Sequence, residues 1–164
     1  MRKVVVIGCS GMPLVHLDKL YWRAGWRHVS AEEFDALHAA ELEKPAWILD
    51  GNYNRTLPAR LNACDTAIFL RYPRRVCLLG AVKRYLKGRG KSRADVGEGC
   101  PEKLDAEFLK YIWNYDKRFG EKYCRMLEES GAAHYVLKSR REAEAFLQSL
   151  PDFPRGTSAE KRKE

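Results

Sequence analysis

Five short apolar runs punctuate this chain, and the stretches between them carry helical spacing. Val4-Val5-Val6-Ile7 is β-branched throughout with no polar alternation, the pattern of a strand buried on both faces of a parallel sheet. Leu14-Val15-His16-Leu17 reads as a second strand, Trp47-Ile48-Leu49 as a third and Thr66 to Leu70 as a fourth. His134-Tyr135-Val136-Leu137 is the last. Ser30-Ala-Glu-Glu33 is a capping box that opens a helix carrying Phe34, Leu37 and Leu42, stopped by Pro45. Leu57 to Ala63 predicts a short helix. Arg74 to about Lys87 predicts a longer one, with Val76, Leu79, Val82 and Leu86 three and four residues apart. Pro101 suits the first turn of a long helix with Leu104, Phe108, Ile112, Tyr115 and Phe119 inward and Gly131 as terminator. Ser139-Arg-Arg-Glu142 repeats the capping box before a stripe of Ala143, Phe146, Leu147 and Leu150.

Strands alternating with helices predict a three-layer α/β fold around a mostly parallel sheet of about five strands. Residues 1–150 read as one domain without internal repeats, and the charged tail after Pro151 as disordered. Lys19 to Trp26 is an aromatic loop with too little periodicity for an element. Gly88, Gly90, Gly97 and Gly99 mark an open, mobile segment up to Cys100.

Composition narrows the class. With 164 residues, 45% hydrophobic and 32% charged, the chain can bury a sizeable core. No apolar run reaches the roughly 18 residues of a membrane span and no signal-like stretch precedes Val4, so a cytoplasmic protein without a membrane partner is expected. The five cysteines are scattered with no C-x-x-C, and His16, His28, His38 and His134 form no ligand-spaced group, which argues against disulfides and zinc. The net charge of +8 is uneven: nine Lys/Arg and no acid lie between Arg71 and Arg93. That surplus fits a polyanionic partner, whether nucleotide phosphates, nucleic acid or an acidic surface; a solvated basic helix is the alternative.

The chemistry begins at Gly8-Cys9-Ser10-Gly11, directly after the first strand. A glycine-rich turn there lets backbone N–H groups approach a phosphate. The complete phosphate loop, G-x-x-x-x-G-K-[ST] followed by a helix, is absent, and Met12-Pro13 leads straight into the second apolar run. Parallel neighbours need a crossover of about a dozen residues. Either the two runs pair in some other way, or a crossover helix has been lost. Ligands of such sheets sit outside the carboxyl ends of the strands, which puts Gly8 to Gly11, Asp18 and Asp50 to Asn52 along one rim.

Val6-Ile-Gly-Cys-Ser-Gly11, Pro13-Leu-Val-His-Leu-Asp-Lys-Leu-Tyr-Trp22, Trp47-Ile-Leu-Asp-Gly-Asn-Tyr53 and Gly99-Cys-Pro101 together resemble the adenylate-kinase-like P-loop proteins described as DNA topology modulation proteins. The resemblance spans Val4 to about Leu150. It implies a P-loop kinase fold with ATP and Mg2+ as ligands and phosphoryl transfer to a nucleotide or similar small acceptor. Gly8, Ser10 and Gly11 would then be the remnant of the phosphate cradle, with about fifteen residues missing after Gly11, judged by crossover length. Asp50 would hold the magnesium, or simply cap its turn. Asp18 would orient an acceptor hydroxyl, or else cap a helix or turn; Asn52, Arg55 and Arg60 would line the acceptor, unless Arg60 is a surface helix residue; and Tyr21, Trp22 and Trp26 would wall its pocket unless they are core. Arg84, Arg89 and Arg93 resemble the lid arginines, at about 84–100, that cover ATP phosphates and stabilise transferring charge.

Two expectations follow from the incomplete loop. One lost charge-stabilising donor costs roughly 3 kcal/mol in the transition state, and several are missing at once, so catalysis about 10⁴-fold or more below a complete kinase is expected. A helix on the sheet buries on the order of 400 Å², about 10 kcal/mol, so the bare face must be repacked or covered by a second copy in a homodimer. The alternative function is a non-catalytic DNA-binding or regulatory module that uses residues 71–93 with Tyr72 and Tyr85.

Overall fold

The computed structural model describes residues 1–8, 15–88, 96, 99–101 and 103–150. In chain order these form β1 (Lys3–Gly8), β2 (Val15–His16), α1 (Leu17–Tyr21), β3 (Trp22–Arg23), β4 (Arg27–His28) and α2 (Ala31–Leu42). Then come β5 (Trp47–Asp50), α3 (Leu57–Ala63), β6 (Thr66–Leu70), α4 (Arg74–Gly88) and α5 (Ala106–Tyr115). A π-helical turn, Asp116–Gly120, leads into α6 (Glu121–Glu129), β7 (Ala133–Leu137) and α7 (Arg140–Ser149). The architecture is α/β: a five-stranded sheet in the order β2-β5-β1-β6-β7, parallel at every pairing.

β1 lies at the centre, which is why its run needs no polar alternation. Val5 and Ile7 join Leu49, Ala67 and Phe69 on one face, beneath Phe34 of α2, Leu57 and Leu61 of α3, and Tyr123 and Leu127 of α6. Val4 and Val6 point to the other face with Leu70, against Leu137 of β7 and Ala143 of α7. That second face is not bare: Val4 and Val6 are 7% and 5% exposed, while Ile48 on β5 is 41% exposed. Their burial needs no second chain.

The first two apolar runs do not pair with each other. β2 lies beside β5, with Val15 opposite Leu49 and His16 opposite Asp50, so a crossover between neighbouring strands is not required of the short connection. β2 is also shorter than its apolar run, because Leu17, fully buried, opens α1. Asp18 therefore sits in the first turn of a helix and not at the end of a strand. The aromatic loop is likewise an element: β3 and β4 form an antiparallel ribbon across Ala24-Gly25-Trp26, where Gly25 and Trp26 both take positive φ.

The caps form as their sequences dictate. Ser30 Oγ accepts the Glu33 N–H at 3.1 Å, and Ser139 Oγ accepts that of Glu142 at 3.2 Å. The long helix predicted from Pro101 starts later, at Asp105, whose carboxylate accepts the Phe108 N–H at 2.8 Å. It is then split by the π turn, so that Tyr115 and Tyr123 both point into the core.

Two expectations for the basic region change. Leu79 and Leu86 of α4 are 62% and 65% exposed, because α4 turns Ala81 inward and leaves its periodic apolar stripe in solvent. The segment expected to be open up to Cys100 is anchored at its far end. Val96 and Cys100 are buried, the Gly25 N–H donates to the Gly99 carbonyl at 3.0 Å, Cys100 Sγ to that of Arg23 at 3.2 Å and Trp26 Nε1 to that of Pro101 at 3.2 Å.

Candidate functional site

At the carboxyl rim the sheet closes around Gly8. Its φ of 114° and its approach to β6, where a β-carbon would lie 2.5 Å from the Leu70 carbonyl oxygen, admit only glycine. The Gly8 N–H donates to Asn52 Oδ1 at 2.9 Å, and the Tyr115 hydroxyl donates to the same oxygen at 2.8 Å. Tyr123, its phenol pKa raised by burial, donates to Asn54 Oδ1 at 2.5 Å. Asn52, placed by sequence on the acceptor side, is thus the node joining β1, the turn after β5 and the end of α5. Ser10 and Gly11 lie outside the described residues.

Arg60, also expected to line the acceptor, is fully buried on α3. Its two terminal nitrogens donate to the carbonyls of Gly51 at 2.8 Å and Tyr53 at 2.9 Å, bracing the turn from beneath, and burial pushes its pKa down to about 10. Arg55 leaves the turn outward, into an exposed pair with Asp35 on α2. Hydrogen bonding to that carboxylate raises its pKa. Both guanidiniums are thus held by oxygens of the protein itself.

The carboxylates are engaged as well. Asp18 Oδ1 accepts the Tyr53 hydroxyl at 2.7 Å; burial first, and Asp18 second, hold that phenol well above the usual range. Tyr21 packs among aromatic rings, stacked on His28 at 5.5 Å and edge-on to Phe34 at 5.3 Å, while Trp22 meets Trp26 at 5.4 Å. They form a wall between the ribbon and α2, continuous with the core. Asp50, 9% exposed, receives His16 Nδ1 on Oδ2 at 2.9 Å. Magnesium takes a near-octahedral set of oxygens, one or two of them from carboxylates. Among the described residues no three His, Cys, Asp or Glu side chains converge on a metal position, and the one rim carboxylate proposed for it already carries an imidazole. One oxygen of Asp50 is therefore committed to His16, and no second side-chain carboxylate is seen joining it among the described residues.

On the opposite flank, beyond the ends of β6 and β7, lies an open cavity of about 700 Å³. Arg71, Arg74 and Arg75 enter it from the loop and first turn after β6, Lys117 from the π turn and Lys138 from the end of β7. Trp113 supplies an aromatic face, 51% exposed, with the Arg74 guanidinium 4.9 Å above its ring centroid. Arg71 is the fixed member: Nε meets Asp116 Oδ1 at 2.6 Å and a terminal nitrogen meets Glu121 Oε1 at 2.8 Å, and these bonds raise its pKa. Among the described residues Arg74, Arg75, Lys117 and Lys138 form no ion pair. A smaller recess lined by Leu70, Ile112 and Tyr115 adjoins it, sharing Arg71, Tyr72, Arg74 and Asp116 with the larger cavity.

The charge surplus of 71–93 signalled the three arginines, but nothing in the sequence tied Trp113, Lys117 or Lys138 to them. Of the arginines compared with a lid, Arg84 is half-buried on α4, and Arg89 and Arg93 lie outside the described residues. No family model, no curated protein and no solved structure matches this chain.

Proposed function

We propose that this chain is an adenylate-kinase-like P-loop protein that binds a nucleoside polyphosphate at its carboxyl rim and transfers phosphate poorly or not at all. The observation that carries the reading is the cation-lined cavity beyond the carboxyl ends of β6 and β7, on the same rim as the constrained glycine that ends the central strand. Ligands of parallel sheets collect at that edge, where chain connections diverge; β1 leads to β2 on one side and β6 to β7 on the other. Arg74 and Arg75 offer forked donors for phosphate oxygens, and the Trp113 face suits a base. The acceptor side supports binding less well, because Asp18, Arg55 and Arg60 are occupied by Tyr53, Asp35 and the turn carbonyls. Weak catalysis follows from the absent Gly-Lys-Ser/Thr segment.

Calorimetric titration with ATP at low salt tests the reading. We expect binding that the double variant Arg74→Ala/Trp113→Ala abolishes without loss of fold. Absence of nucleotide binding, or binding indifferent to both side chains, overturns it. Insertion of a complete phosphate loop and helix after Gly11 should raise phosphoryl transfer if the lineage is right.

A second reading has its own observation. Arg75, Lys83 and Lys87 are exposed on α4, within a stretch that holds no acid. They would serve a DNA backbone, and a gel shift at low salt that weakens steeply with added salt would favour that reading.

A further inference from the structure

Resting on the nucleotide reading above, we propose that the cavity takes its polyphosphate as the metal-free anion, with side-chain cations in place of magnesium. The first ground is the donor set. Asp50 is the rim carboxylate in the position for a metal, and His16 Nδ1 already lies 2.9 Å from its Oδ2. No alternative cluster of three ligand-type side chains exists among the described residues.

The second ground is distance. Asp50 ends β5, and β1 separates β5 from β6, whose end begins the cavity wall. Two strand spacings are roughly 10 Å, whereas magnesium is held at about 2.1 Å, so an ion on phosphates within the cavity lies out of reach of this carboxylate.

The third ground is charge. Asp116 and Glu121 compensate Arg71, but Arg74, Arg75, Lys117 and Lys138 have no ion-pair partner among the described residues. Four such cations match the charge of a free triphosphate. Chelated magnesium would cancel half of that charge and cover the oxygens that forked guanidiniums engage.

The test is calorimetric titration of the full chain with ATP in EDTA and, at matched ionic strength, in excess MgCl2, repeated with inorganic tripolyphosphate. Affinity at least about tenfold tighter in EDTA is expected, the order for two ligand charges facing several exposed cations. Lys117→Gln/Lys138→Gln should erase most of that difference by weakening the EDTA titration alone. Equal or tighter binding with magnesium overturns this inference and leaves the nucleotide reading standing. No binding under either condition overturns both.

Discussion

Replacing Arg60 distinguishes a ligand-binding arginine from a brace. Its guanidinium is fully buried and donates to the carbonyls of Gly51 and Tyr53 at 2.8 and 2.9 Å. Hydrogen bonds to a charged donor contribute about 1.5–3 kcal/mol each, so losing two in Arg60→Met removes roughly 3–6 kcal/mol. Methionine fills much of the same volume and relieves the cost of burying a charge, which returns part of that loss. A net destabilisation of about 3 kcal/mol is expected. With a urea slope of about 2 kcal/mol/M, the unfolding midpoint should fall by roughly 1.5 M. Arg60→Lys should recover less than half, because one ammonium does not reproduce a fork across two carbonyls. A midpoint within about 0.3 M of the parent chain, accompanied by weaker ligand binding, would refute the brace and return Arg60 to an acceptor role.

Two further outcomes concern the rim and the core. Gly8→Ala forces a methyl group to 2.5 Å from the Leu70 carbonyl oxygen at a φ of 114°. The cost is about 3 kcal/mol, read as a fall of roughly 10 °C in Tm by calorimetry; a loss below about 2 °C would contradict the geometry. His38 on α2 is buried, and its Nε2 has no hydrogen-bond partner among the described residues. Burial first and the charge of Arg60 second lower its pKa from 6.5, against Asp35, so the unfolded chain takes the proton before the folded one. Stability should therefore fall as pH drops below about 6.5, and His38→Phe should flatten that slope in denaturant titrations at pH 7.5 and 5.5.

The sequence made legible what depends on local rules. A β-branched run with no alternation is enough to mark a strand with neighbours on both sides, and serine three residues before glutamate is enough to mark the starts of α2 and α7. Partnership between distant segments was hidden. β2 pairs with β5 although it follows β1, a choice made by sheet topology and not by the composition of Val15 and His16. The stripe of Leu79, Val82 and Leu86 has the period of a buried face, yet the side of α4 that packs is fixed by Ala81 and by contact with α5. Asp18 and Arg60 were the right types for ligand chemistry, but each meets a protein partner, Tyr53 or the turn carbonyls, that only the fold brings near. The cavity was the least visible feature, assembled from three segments spanning 71–75, 113–117 and 138.

The central position of β1 has a consequence for synthesis on the ribosome. This strand is made before the two that flank it, whose ends at Asp50 and Leu70 come roughly 40 and 60 residues later. At about 5–20 residues per second, an adhesive Val-Val-Val-Ile segment waits for several seconds before both of its edges are occupied. Arg2 and Lys3 stand immediately before it, and positive charges at the flank of such a segment discourage premature pairing with other nascent chains. Neutralising both should lower the soluble yield on expression far more than it lowers the stability of the finished molecule.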